Sequence, residues 1–164
     1  MLYNSKMSIL LDNIKTLENI DDNRVLCKFD NILNPKIYEL KNTIGEPYYS
    51  LKDLTSITTC TKFELTDLEW EDNVVKISLN DFEKEKNNVH ILLKIAIMAI
   101  EKWTNILKTE FPNTNFDMVL SIDNDKKTNL PFAILRLYAI RDNYCYIDHD
   151  TLNEIKRPIL IERV

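Results

Sequence analysis

The residues Val89-His90-Ile91-Leu92-Leu93-Lys94-Ile95-Ala96-Ile97-Met98-Ala99-Ile100-Glu101-Lys102-Trp103-Thr104-Asn105-Ile106-Leu107 decide the fold. His90, Lys94, Glu101, Asn105 and, just beyond, Lys108 fall three, four or seven positions apart, and nearly everything else is apolar. At about 3.6 residues per turn this spacing draws one narrow polar stripe on an otherwise hydrophobic cylinder. A helix of that kind must be buried against a sheet and against other helices. The spacing predicts a central helix over 87–109, stopped at Phe111-Pro112-Asn113.

Working towards the C-terminus, Phe116, Met118, Leu120 and Ile122 alternate with Asp117, Val119 and Ser121, as in a strand with one face buried. Residues 131–141 are apolar at both parities, which predicts a central strand. Arg141-Asp142-Asn143 reads as a tight turn into a returning strand, Tyr144–Ile147. A loop or single helical turn over 149–157, capped by Asp150, and a last strand from Ile159 to Val164 complete this half.

Towards the N-terminus, Met7, Leu10, Leu11, Ile14 and Leu17 predict an amphipathic helix over 5–19, and residues 24–29 read as a short strand. Asn34-Pro35 offers a cap followed by proline at the first helical position, with Ile37, Leu40 and Ile44 on one face. Gly45 and Pro47 close that helix, and Ser50 with Asp53 caps a further short turn. Residues 57–66 and 74–79 read as paired strands, with Thr59, Thr61, Phe63 and Leu65 alternating on the first. The expectation is a single α+β domain, 1–164: a mainly antiparallel sheet with a buried central helix and N-terminal helices packed on it.

Composition narrows the function. The 164 residues are 45% hydrophobic and 29% charged, as in ordinary globular proteins. They include one glycine, which excludes the glycine-rich loops that cradle nucleotide phosphates and also the G-x-S-x-G nucleophile elbow. The net charge of −5 works against nucleic-acid binding, which draws its affinity from Lys and Arg on phosphates. Only Arg136, Arg141, Arg157 and Arg163 could supply a basic face. Cys27, Cys60 and Cys145 are odd in number and widely spaced, so free buried thiols in a reducing cytoplasm are expected. The apolar run Met7–Leu11 is too short for a signal-peptide core, and no stretch approaches a membrane span.

Catalytic and metal-binding patterns are weak. His90 has Lys94, not a ligand, one turn on. Asp123-Asn124-Asp125 opens like a calcium loop, but Thr128 stands where glycine is required and Ile134 where glutamate is required. Cys145 between Tyr144 and Tyr146 reads as a small core residue. Asp148-His149-Asp150 is the one grouping suited to acid–base or metal chemistry, and it carries the alternative reading of a small hydrolytic or metal-dependent enzyme. Neighbouring side chains on an extended chain point apart, so these three converge only if a loop turns them together. No catalytic residue, metal or cofactor is expected.

The charge is concentrated. Residues 64–85 hold eight acids and two lysines, a local charge of −6, while the segments on either side are close to neutral. Within them, Glu64, Asp67, Glu69, Glu71 and Asp72 surround Trp70. A tryptophan ringed by carboxylates suits capture of a basic protein surface, because tryptophan is enriched at binding hot spots and an acidic field speeds encounter. These six residues are the expected partner-binding site. The competing readings are a solvated hairpin with Trp70 folded into the core, and a structural accessory protein.

In size, acidity, α+β order, this Trp70 hairpin and a Pro131–Ile147 hairpin bearing Phe132, Leu135, Leu137 and Tyr138, the chain resembles the small immunity proteins of bacterial toxin systems, including contact-dependent growth inhibition. The resemblance implies a non-enzymatic cytoplasmic inhibitor whose partner is a cognate basic toxin domain, a nuclease among the options, and not nucleic acid or membrane.

Overall fold

The computed structural model describes residues 1–14, 23–58 and 61–164. Their elements run β1 (Leu2–Tyr3), α1 (Ser5–Ile14), α2 (Asn23–Lys28), α3 (Asp30–Leu33), β2 (Tyr38–Lys41), β3 (Pro47–Ser50), α4 (Lys62–Asp72), β4 (Val74–Ser78), α5 (Val89–Glu110), β5 (Phe116–Asn124), β6 (Pro131–Ala139), a 3₁₀ turn (His149–Glu154) and β7 (Ile159–Arg163). Five strands form an antiparallel sheet in the order β1-β7-β5-β6-β4, and β2 pairs with β3 in a separate hairpin. The α+β class is as the sequence predicts.

The central helix organises the rest. Asn88 caps α5, its Oδ1 accepting from the amides of His90 and Ile91 at 3.1 Å. Leu92, Leu93, Ile95, Ala96, Ala99, Ile100, Trp103 and Leu107 are buried, while Glu101, Asn105 and Lys108 remain in water. One side of α5 meets Ile77, Met118, Leu120, Leu135 and Leu137 of the sheet, and α1 and α3 lie against it elsewhere. Trp103 donates its indole N–H to the Ile32 carbonyl at 2.7 Å, which satisfies the only polar atom of a fully buried ring.

β4 and β5 both run antiparallel to β6, so they are parallel to each other and joined by α5, with β6 inserted between them. This places β6 at the centre, as its two-sided apolar pattern predicts. The β5–β6 turn is closed by Asp125, whose Oδ1 accepts from the Lys127 and Thr128 amides at 3.0 Å; these residues form a polar hairpin tip. Three backbone and hydroxyl donors hold the Asp125 carboxyl below the usual carboxylate range.

Four expectations in the N-terminal half are corrected. Residues 24–28 lie in the helix α2 and Phe29 in the turn before α3, because Leu26, Phe29 and Leu33 recur at helical spacing and the latter two are buried. Residues 35–44 contribute a strand, not a helix. Tyr38 and Leu40 alternate with exposed Glu39 and Lys41, and Gly45 (φ +80°) serves the hairpin turn instead of a helix end. Tyr48 and Tyr49 on β3 point to opposite faces and both are buried, so the hairpin is wedged between layers. Ser50, the last residue of β3, accepts from the Lys52 amide at 2.9 Å and caps no helical turn.

The fourth correction concerns 57–66. From Lys62 to Asp72 the chain is a helix, and β4 pairs with β6 instead. Thr61 and Glu64 form a reciprocal capping box: Thr61 Oγ1 accepts from the Glu64 amide at 3.2 Å, and Glu64 Oε2 accepts from the Thr61 amide at 2.9 Å. Thr59, Cys60 and Leu17 of the predicted elements lie outside the described residues. Tyr144–Ile147 is no strand; a single bridge joins Arg141 to Tyr144. Cys27 is exposed and Cys145 half-buried, so neither is the core thiol expected. Among the described residues no helix is long and apolar enough to cross a membrane.

Candidate functional site

With α4 a helix, its acids are distributed by angle. At about 100° per residue, Phe63, Glu64, Asp67, Trp70 and Glu71 fall within one arc of about 120°. Leu65, Thr66 and Glu69 occupy the opposite side and are buried. The six expected contact residues therefore separate into three groups.

Glu64 and Glu71 are exposed, and Asp67 is half-buried beside them, accepting from the Tyr144 hydroxyl at 3.0 Å. Asp72 lies on the far side of the helix, where its Oδ2 accepts from the Tyr48 hydroxyl at 2.8 Å. Glu69 is removed from the site altogether. It is fully buried, and its two oxygens accept from Arg141 at 2.6 and 2.9 Å, from the Tyr49 amide at 2.8 Å and from the Ala139 amide at 2.7 Å. Burial pushes this carboxyl up, against the pull of Arg141 and the two amides. Glu69 is a structural ion pair and no part of a docking surface.

Trp70 is half-buried and already engaged. Tyr146 stacks on it, with ring centres 4.1 Å apart and planes 14° apart. Tyr138 meets it edge-on at 5.9 Å, and the Arg136 guanidinium lies 4.7 Å from its ring centre. The indole pins α4 to the sheet face opposite α5. The aromatic surface that remains open beside the acids belongs to Phe63, 49% exposed, and Tyr146, 40% exposed. Phe63 packs edge-on against Tyr144 at 5.1 Å. The sequence contained a signal for this arrangement: the T-x-x-E capping box at Thr61–Glu64 places Phe63 in the first turn of a helix.

The Asp148-His149-Asp150 trio does not converge. Asp148 caps the 3₁₀ turn by accepting from the Asp150 amide at 3.0 Å, the role expected of Asp150, and both acids are exposed. His149 turns instead towards Asp117, its Nε2 3.7 Å from Oδ2. Asp117, Cys145 and His149 bring one ligand-type atom each within 4.8 Å of one another. The space between them belongs to Arg163. Its guanidinium donates to both Asp117 oxygens at 2.8 and 2.9 Å and lies 3.0 Å from Cys145 Sγ and 3.3 Å from His149 Nε2. A metal ion there would meet a fixed positive charge, and the same His149 nitrogen faces both the carboxylate and the arginine, so no nucleophile–base–acid relay is formed. The Asp117 carboxylate, aided by the other contacts, holds the Arg163 guanidinium even more firmly protonated than usual.

Of the four arginines that could have made a basic face, Arg141 and Arg163 are committed to Glu69 and Asp117, and Arg157 lies 3.5 Å from Asp123. No family model, curated protein or solved structure matches the chain.

Proposed function

We propose that the protein is a non-enzymatic protein-binding module, an immunity protein that neutralises a cognate toxin domain of basic surface, acting in the cytoplasm. The observation that carries this reading is the placement of Glu64, Asp67 and Glu71 on one arc of α4, which also holds the part-exposed ring of Phe63 and Trp70, on which the part-exposed Tyr146 stacks. Aromatic side chains supply contact area at small entropic cost, and the carboxylates around them repel acidic surfaces and draw basic ones. The contact set is thus Phe63, Glu64, Asp67, Glu71, Tyr144 and Tyr146, with Trp70 as the support beneath it. Small size, net acidity and the α+β order, shared in style with immunity proteins, favour a toxin domain as the partner.

The test is a calorimetric titration of the chain against the product of the gene adjacent to its own, the toxin domain that this reading expects. The comparison variant is Glu64→Gln with Glu71→Lys. Glutamine preserves the capping box, so charge changes without loss of the helix start. Binding by the parent chain and at least tenfold weaker binding by the variant, with an unchanged melting temperature, are expected. Equal binding by both chains overturns the reading.

A further inference from the structure

Next to Trp70 a groove of about 280 Å³ opens on the sheet face away from α5, lined by Trp70, Ser121, Arg136, Ile147, Ile155 and Arg157, among others. We infer that this groove is a binding site for a small organic carboxylate with an aromatic or branched apolar body. This goes beyond the toxin-binding reading and does not depend on it.

The cationic end comes first. Arg136 stands mid-strand on β6, between Ile134 and Tyr138 on the same face, and its Nε is buried without a hydrogen-bond partner. A buried donor left unpaired is costly, and a charged one more so. The other arginines show how this chain ordinarily settles such groups: Arg141 and Arg163 each take a bidentate carboxylate. Arg136 has none among the described residues; its guanidinium is held by the Trp70 ring alone, and Glu71 acts on it only at longer range. Arg157 forms the second cationic wall. It is half-exposed, and its 3.5 Å contact with Asp123 is loose enough for a ligand to compete with it.

The remaining walls fix the body of the ligand. Trp70, Val119, Ile147, Ile155 and Ile159 are apolar, and Ser121 is the one neutral hydroxyl. Two arginines on an apolar cleft select a carboxylate joined to a hydrophobic group, because guanidinium forks match carboxylate oxygens while the isoleucines exclude water. The volume lies just under the ~300–1,000 Å³ of pockets for drug-sized ligands, which restricts the occupant to a small molecule.

The probes are benzoate, benzyl alcohol and inorganic phosphate, titrated into the full chain while the Trp70 indole N–H resonance is followed by NMR. Saturable shifts with benzoate, at least tenfold weaker effects of the alcohol and of phosphate, and loss of the benzoate response in Arg136→Gln are expected. Arg157→Gln, on the open rim, should weaken benzoate at least threefold and serves if the Arg136 variant fails to fold. Equal response to the alcohol, equal response to phosphate, no saturation by any probe, or parent-like binding by the arginine variants would each overturn the assignment.

Discussion

Glu69 and Arg141 form a bidentate ion pair in the interior, with side chains 0% and 6% exposed. The pair joins three elements that are distant in sequence. Glu69 projects from α4 and receives amides from β3 and from the end of β6; Arg141 also donates to the Pro47 carbonyl at 2.7 Å and to the Thr66 hydroxyl at 2.9 Å. Both Glu69 oxygens and both terminal Arg141 nitrogens are hydrogen-bonded, which is the condition under which a buried pair is tolerated.

Removing one partner leaves the other charged and dry. Glu69→Gln and Arg141→Met should each destabilise the fold by about 3–5 kcal/mol. Urea unfolding of the single and double variants checks this. The double variant should lose clearly less than the sum of the singles, and additivity would contradict the pairing. Charge reversal at Glu69 would therefore report unfolding and says nothing about docking.

Thr61→Ala should cost about 1 kcal/mol by removing one half of the capping box, read as a lowered urea midpoint. No effect would mean that Lys62–Asp72 does not begin as described.

Asp117 gathers Arg163 and the Tyr138 hydroxyl, the latter donating at 3.0 Å. Asp117→Asn should destabilise by about 1–3 kcal/mol, less than the Glu69 variants, because Arg163 is 46% exposed and regains water. Chemical denaturation of the two variants side by side decides the order.

Burial, with the neighbouring carboxylates Asp72 and Asp117, raises the pKa of both Tyr48 and Tyr138. A group whose pKa is higher in the folded state contributes stability that is complete below its unfolded value, about 10 for tyrosine, and is lost as pH climbs beyond it. Stability should be insensitive to these two groups from pH 7 to 9. It should then fall by about 1.4 kcal/mol per pH unit for each phenol above pH 10. Ultraviolet titration should show at least two phenols ionising only as the chain unfolds; free ionisation of all tyrosines before unfolding would contradict the burial.

Legibility in the sequence followed burial. The helix at 89–110 and strands β5, β6 and β7 were readable because each buries a long run whose period admits one geometry. Residues 38–50 and 62–72 are not legible in this way, because their burial is split between faces. Tyr48 and Tyr49 are both interior, and α4 buries a glutamate where pattern reading expects a surface acid. The pairing of Glu69 with Arg141 spans 72 positions and leaves no local trace. Of the candidate site, the acids Glu64, Asp67 and Glu71 are legible in the sequence and share an arc of α4, whereas Phe63 and Tyr146 fall in stretches whose alternation predicts strands.

Amide hydrogen exchange on the chain, alone and mixed with the product of the gene adjacent to its own, tests the proposed docking face most directly. New protection concentrated in 61–74 and 143–147 is the predicted result. Unchanged exchange across both segments, with protection arising elsewhere in the bound chain, would contradict it.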